Sequence, residues 1–324
     1  MPALKALVRQ SVHAIGGMQV FRFLNQNGVR ILMYHRFPAD TKALDWQCNH
    51  IREHYLPISL ELVAESLQSG RPLPANALVI TIDDGYRDFF LYGYPAFRKF
   101  ELPTMVYLVS DFVDGRIWLW WNQIEYAFQQ TQRKAISLKV TGSGPLDFSF
   151  DTGEQRMAVA RTVAESLTTV DDSERLGLLK LIPQLLEVEI PTSPPERWAA
   201  LSWNEVRTLA QNGVDFGAHT KTHPILSRIT DPGRQREEIE GSKIRLEQEL
   251  GRPVRHFCYP NGSRPDFDDQ TVDLVRQSGF LSATTTERGL NFPGSEPYLL
   301  HRIGVEPALP KNYFIELLAG ARKR

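Results

Sequence analysis

The apolar run Leu78-Val79-Ile80-Thr81-Ile82 ends in Asp83, Asp84 and Gly85, and a later apolar run ends in Gly217-Ala218-His219-Thr220-Lys221-Thr222-His223-Pro224. Adjacent carboxylates at the end of an extended chain point in different directions, so one can hold a cation while the other accepts a proton. Two imidazoles four residues apart converge on one ion when the chain between them turns once. Each pattern also has a plainer reading, because Asp-Asp-Gly is a common turn and a polar loop often carries capping or surface histidines. Combined, Asp84, His219 and His223 make a two-histidine, one-carboxylate ligand set with open positions, and Asp83 stays free to act as base. The chemistry implied is metal-assisted hydrolysis, in which a divalent ion brings the pKa of bound water toward about 7 and a neighbouring carboxylate takes the proton. Carboxylate and imidazole donors suit Zn2+, Co2+, Ni2+ or Fe2+.

Such groups need a scaffold that delivers them to one place. Short apolar runs at 30–35, 77–82, 104–109, 214–219, 256–260, 281–286 and 299–306 read as strands, and helical patterns lie at 59–69, 88–100, 203–212, 231–250 and 268–278. Strand and helix in repetition predict βαβ units around a parallel sheet, whose ligands bind at the carboxyl ends of the strands. Both chemical motifs sit at such ends. The segment from about 113 to 200 breaks the rhythm with the cluster Trp118, Trp120 and Trp121, a Gly/Ser-rich stretch at 141–145, helical patterns at 154–167 and 172–187, and a Pro-rich exit at 191–195. It reads as a mainly helical insertion.

On these residues the chain resembles the NodB-homology polysaccharide deacetylases of carbohydrate esterase family 4. Thr81-Ile82-Asp83-Asp84-Gly85 is similar to that family's Thr-Phe-Asp-Asp-Gly motif, and His219 to Pro224 is similar to its His-Ser/Thr-x-x-His-Pro motif. The resemblance covers about residues 30–112 and 200–306. It implies an α/β fold, a distorted (β/α)7-type barrel, with Asp83 as catalytic base and a zinc-type ion on Asp84, His219 and His223. The implied activity is removal of N-acetyl groups from amino sugars of a bacterial surface polysaccharide or of its lipid- or nucleotide-linked precursor.

The other motifs depart from the best-known members, which carry Arg-x-Pro-Tyr. Here the segment is Cys258-Tyr259-Pro260-Asn261-Gly262. Alignment on the proline puts Asn261 at the oxyanion position, where a backbone N–H survives any side-chain change. Cys258 then stands where the base-orienting arginine would be, and Arg302 is the suggested replacement from a neighbouring strand. The general acid has two candidates. His301 ends the Leu299-Leu300-His301 run in the late position, and His35 follows Ile31-Leu32-Met33-Tyr34 in the style of the exopolysaccharide deacetylase branch; His35 is preferred. Tyr259 and the three tryptophans are candidate sugar-stacking faces, with core packing the plainer reading for the tryptophans. Two other readings stay open: deformylation or cyclic-amide opening on the same scaffold, and a carbohydrate-binding protein without turnover.

Composition narrows the partners. Among 324 residues, 37 Lys+Arg against 38 Asp+Glu leave a net charge of -1, which argues against a nucleic-acid-coating protein. Two cysteines, Cys48 and Cys258, cannot make a four-sulfur zinc site. Residues 1–27 read as an amphipathic helix with Lys5, Arg9, His13 and Arg22, ahead of a deacetylase barrel over 28–324; packing on the domain is the preferred reading of this helix and peripheral contact at the inner membrane the alternative. Arg9, Gln10 and His13 interrupt the apolar run that an export signal needs, so the expected location is cytoplasmic.

Overall fold

Seven of the apolar runs become parallel strands that close on themselves. The computed structural model describes residues 17–142 and 144–322. Its strands are β1 (Arg30–Tyr34), β2 (Leu56–Pro57), β3 (Ala77–Ile82), β4 (Thr104–Leu108), β5 (Ala135–Val140), β6 (Gly144–Ser149), β7 (Asp215–Ala218), β8 (His256–Cys258), β9 (Ser282–Arg288) and β10 (Leu300–Gly304). Going round the barrel, the order is β1-β10-β9-β8-β7-β4-β3, and β3 pairs back to β1, with the two-residue β2 beside β3. First and last strands meet at Leu32 and Ile303, and Arg30 to Tyr34 run in register with Leu78 to Ile82. This is the expected (β/α)7 barrel.

Every residue of β3 and β4 is buried, because the strands face a packed interior on one side and helices on the other. Inside lie Ile31, Val79, Met105, Tyr107, Cys258 and Leu300, with Leu60 and Val63 of the helix Leu60–Ser69 in the same cluster. A Cβ on Gly217 would lie 2.6 Å from the Tyr107 ring, so β7 must carry glycine where that ring crosses the interior. Outside, Leu32, Ile80, Val106, Phe216 and Phe257 pack against the helical layer. The helix Pro232–Leu250 stops at Gly251, whose φ of 64° is the left-handed turn that glycine adopts without strain.

Between β4 and β7 the chain builds a separate apolar core from Ile124, Phe128, Ile136, Leu138, Val163 and Ile182. The helices Gly153–Leu167 and Asp172–Leu185 match the expected patterns, and a third helix, Trp120–Gln130, precedes them. The expectation of a mainly helical segment left out the antiparallel hairpin of β5 and β6. Its signal was the period-two pattern of Ala135–Val140, in which Ile136, Leu138 and Val140 are buried and the residues between are exposed. The insertion is tied back to the barrel where Leu201 N–H donates to Gly85 O at 2.9 Å and Arg87 N–H to Ala199 O at 2.9 Å.

Of the expected N-terminal helix over 1–27, residues 1–16 lie outside the described residues; Gly17–Leu24 is helical and has no buried side chain. Among the described residues, no helix is long and apolar enough to cross a membrane.

Candidate metal and catalytic site

Where β3 ends, Asp83 N–H still donates to Tyr34 O at 2.9 Å, so this residue keeps barrel register. Asp84 and Gly85 then take φ values of 74° and 88° and swing the chain out of the sheet. The two carboxylates consequently part. Asp83 receives Arg302, with Nη1–Oδ1 at 2.7 Å and Nη2–Oδ2 at 2.8 Å. Arg302 is anchored in turn by Nε donating to Thr285 O at 2.7 Å and Nη1 to Thr81 Oγ1 at 3.2 Å. Arg302 thus sits against the acid that the resemblance makes the base, and Cys258 Sγ lies 3.1 Å from Arg302 Nη2.

Asp84 faces the histidines instead. Its Oδ1 is 3.7 Å from Nε2 of His219 and 3.7 Å from Nε2 of His223, and all three residues are buried. One donor atom from each lies within 4.8 Å of the others. Three donors held at about 2.1 Å from one tetrahedral centre stand about 3.4 Å apart, so this spacing fits a divalent cation. The chemistry of the donors fits as well. Cys258 O can only accept, so His219 Nδ1, 2.7 Å away, carries the proton and leaves the Nε2 lone pair toward Asp84. Burial pushes both imidazoles below their ordinary range, His223 well below it, which keeps them neutral and able to ligate.

Burial alone would raise both carboxyls, yet they separate. Arg302, followed by His35, outweighs burial at Asp83 and holds it well below the usual carboxylate range. At Asp84 burial wins over the attraction of His219, and with repulsion from Asp83 the group is pushed up to about 7. One acid therefore stays ionised by its own protein partner, and the other lies in the two-histidine cluster that could hold a cation.

The His219–His223 loop is held at several points. His219 N–H donates to Leu108 O at 3.0 Å, and Thr220 Oγ1 accepts from His223 N–H at 3.0 Å. Thr220 and His223 both have left-handed backbone, with φ of 64° and 56°. From the helix Pro232–Leu250, the buried Glu238 accepts from Lys221 N–H and Thr222 N–H, both at 2.9 Å, and from Thr222 Oγ1 at 2.7 Å. One carboxylate thereby fixes the turn between the two histidines.

A cavity of about 460 Å³ opens over this group at the carboxyl ends of the strands. His35, Asp83, Asp84, His219, His223 and Asn261 line its barrel side, and Trp121, Glu125 and Glu165 its insertion side. His35 Nε2 lies 3.7 Å from Asp83 Oδ2. His301 does not reach the cavity; it lines another one with Arg264, Phe267 and Glu287. Side chains alternate along a strand, and since Arg302 points inward to Asp83, its neighbour His301 must point outward. Asn261 has a φ of 57° at the cavity rim. Tyr259 lines the same cavity, although the residue is buried: its ring stacks on Phe267 at 4.1 Å and its hydroxyl donates to Tyr298 O at 3.1 Å. Trp118 is likewise buried, against Tyr126 and Trp198. Tyr86, Asn122 and Glu238 carry positioning contacts that sequence reasoning did not single out. Glu238 had no sequence signal beyond lying on a helix, and Tyr86 only its place directly after Gly85.

The family model described as polysaccharide deacetylase matches residues 181–283, a stretch that contains His219 and His223. Poly-beta-1,6-N-acetyl-D-glucosamine N-deacetylase of Escherichia coli (strain K12) is 37% identical over 75 residues, 23% of this chain and 11% of that protein. The match thus spans about a tenth of that relative's length. Among solved structures, Streptococcus pyogenes deacetylase PplD in complex with acetate superposes with a TM-score of 0.59 at 17% identity, covering 90% of this chain and 99% of the other. IcaB from Ammonifex degensii does so with a TM-score of 0.56 at 17% identity, covering 91% and 96%. At that identity the structures speak for the fold, the same closed parallel barrel. The sequence matches add a likeness to polysaccharide deacetylases over the part of the chain that carries the two histidines.

Proposed function

We propose that this protein is a metal-dependent deacetylase that hydrolyses N-acetyl groups of amino sugars in a surface polysaccharide or its precursor. The observation that carries the reading is the division of labour between adjacent acids, Asp83 on Arg302 and Asp84 between two neutral histidines, at the mouth of the barrel. Asp84, His219 and His223 would hold a divalent cation, with zinc the preferred ion. When bound, such an ion supplies Lewis acidity, making water acidic enough to attack an amide near neutral pH. Asp83 is the group placed to receive the proton of the attacking water, and Arg302 keeps its two oxygens aimed and ionised. His35, on the same cavity wall, is placed to give a proton to the departing amine. The Asn261 N–H at the rim is the protein donor for the developing oxyanion.

The test is hydrolysis of N-acetylglucosamine oligomers by zinc-loaded protein, with free amine and acetate measured together. Equal release of both, abolished by Asp83→Asn, is the expected result. Formate release from an N-formyl sugar with no acetate from the N-acetyl one would replace the reading by deformylation. Sugar binding without release of either acid would replace it by recognition alone.

A further inference from the structure

We propose that Trp120 and Trp121 are positioning residues for His223, so that the metal grip of the barrel depends on the insertion. The inference rests on the metal-site reading and concerns what keeps one of its ligands in place. Metal-binding imidazoles are usually oriented by a hydrogen bond at the nitrogen that faces away from the ion. His219 has one, from Nδ1 to Cys258 O at 2.7 Å. His223 has none: its buried Nδ1 lacks a hydrogen-bond partner among the described residues. Its backbone is also in the left-handed region at a φ of 56°, a conformation that a histidine keeps only where its surroundings impose it.

The insertion supplies the restraint. The Trp121 ring meets the His223 imidazole edge to face, with centroids 4.6 Å apart and planes at 70°. From the adjacent position, Trp120 Nε1 donates to His223 O at 3.2 Å. One residue thus has its ring and its carbonyl held by consecutive side chains at the start of the helix Trp120–Gln130. Both tryptophans are fixed themselves. Trp121 Nε1 donates to the Tyr86 hydroxyl at 3.1 Å, which donates to Asn122 Oδ1 at 2.6 Å. The Arg175 guanidinium lies 5.5 Å over the Trp120 ring and pairs with Asp172 at 2.5 Å. Ring packing here does what a distal hydrogen bond does at His219: it removes the freedom to rotate Nε2 away from Asp84.

The test uses the full chain stripped of metal and measures Zn2+ affinity by competition with a chromophoric chelator, without sugar, together with the visible spectrum of the Co2+ form. Trp121→Ala weakens Zn2+ about tenfold and alters the Co2+ spectrum, as loss of an orienting partner does. Trp121→Phe, which keeps an aromatic edge, restores most of the affinity. Trp120→Phe keeps the bulk and loses the donor, and weakens Zn2+ about threefold. Unchanged affinity and spectrum in folded Trp121→Ala and Trp120→Phe would overturn the inference while leaving the metal site intact; if Trp121→Ala does not fold, Trp120→Phe decides. Failure of the parent chain to bind Zn2+, or binding that survives His219→Ala, would overturn the metal-site reading and this inference with it.

Discussion

Arg302 grips Asp83 through two parallel hydrogen bonds, and both side chains are buried. A buried pair of this kind is costly to break from one side, because the survivor is left as an uncompensated charge. Arg302→Met is therefore expected to destabilise the protein by about 3 kcal/mol in urea unfolding, and Asp83→Asn by a similar amount. The double variant Asp83→Asn/Arg302→Met should recover much of that stability and none of the hydrolysis, which separates the structural role of the pair from its chemical one.

The same pair sets a pH dependence. The folded-state pKa of Asp83 is depressed, so its stabilisation is complete above the unfolded-state value of about 3.9, declines as pH falls below it, and is gone once pH has passed through the lower folded-state value. The Asp83 contribution to acid unfolding of the parent, followed by circular dichroism, should thus set in as pH falls below about 4 and persist to well below the ordinary carboxylate range. The Asp83→Asn/Arg302→Met variant should lack that component of the acid slope.

His35 and His301 differ in one measurable respect. His35→Ala should lower kcat/KM on the order of 100-fold, the usual scale for a proton donor. His301→Ala should leave it near the parental value, because that side chain lines a different cavity. The reverse ranking would move the general acid to β10 and undo the assignment to β1.

Glu238 makes its own prediction. Its Oε2 accepts both N–H groups and its Oε1 the Thr222 hydroxyl in the turn between His219 and His223, so Glu238→Ala, which removes all three acceptors, should weaken Zn2+ binding about tenfold. Competition with a chelator measures this directly.

Both thiols should be silent in the native protein. Burial pushes Cys48 up to about 12 and Cys258 well above the ordinary thiol range, so neither holds thiolate at pH 8. An aromatic disulfide reagent should label no thiol in the folded chain and both after denaturation. Fast labelling of Cys258 in the native state would contradict the buried contact between Arg302 and its sulfur.

The acids and histidines were legible because each follows an apolar run, and strand ends are where a parallel barrel gathers its chemistry. Arg302 was legible as a substitute, and strand alternation alone already sets it against its neighbour: of two consecutive residues on β10, only one can face the interior. The tryptophans were harder. Trp120 and Trp121 are visible as an aromatic cluster, but their meeting with His223, a hundred positions later, depends on how the insertion docks, and no local spacing encodes that. The stacking of Tyr259 on Phe267 was not legible either, because a motif alignment places a residue on a strand end without saying what its ring packs against.

Closure of the barrel between β1 and β10 has a consequence for how the protein matures on the ribosome. Asp83 is made more than two hundred residues before Arg302. Until the later strand emerges, the gap beside β1 is an open sheet edge and the acid at the end of β3 has no guanidinium to meet. Such distant pairings form slowly, so the nascent chain should spend a long interval with its edges unprotected and its reactive centre unassembled, dependent on whatever shields exposed strands in the cell.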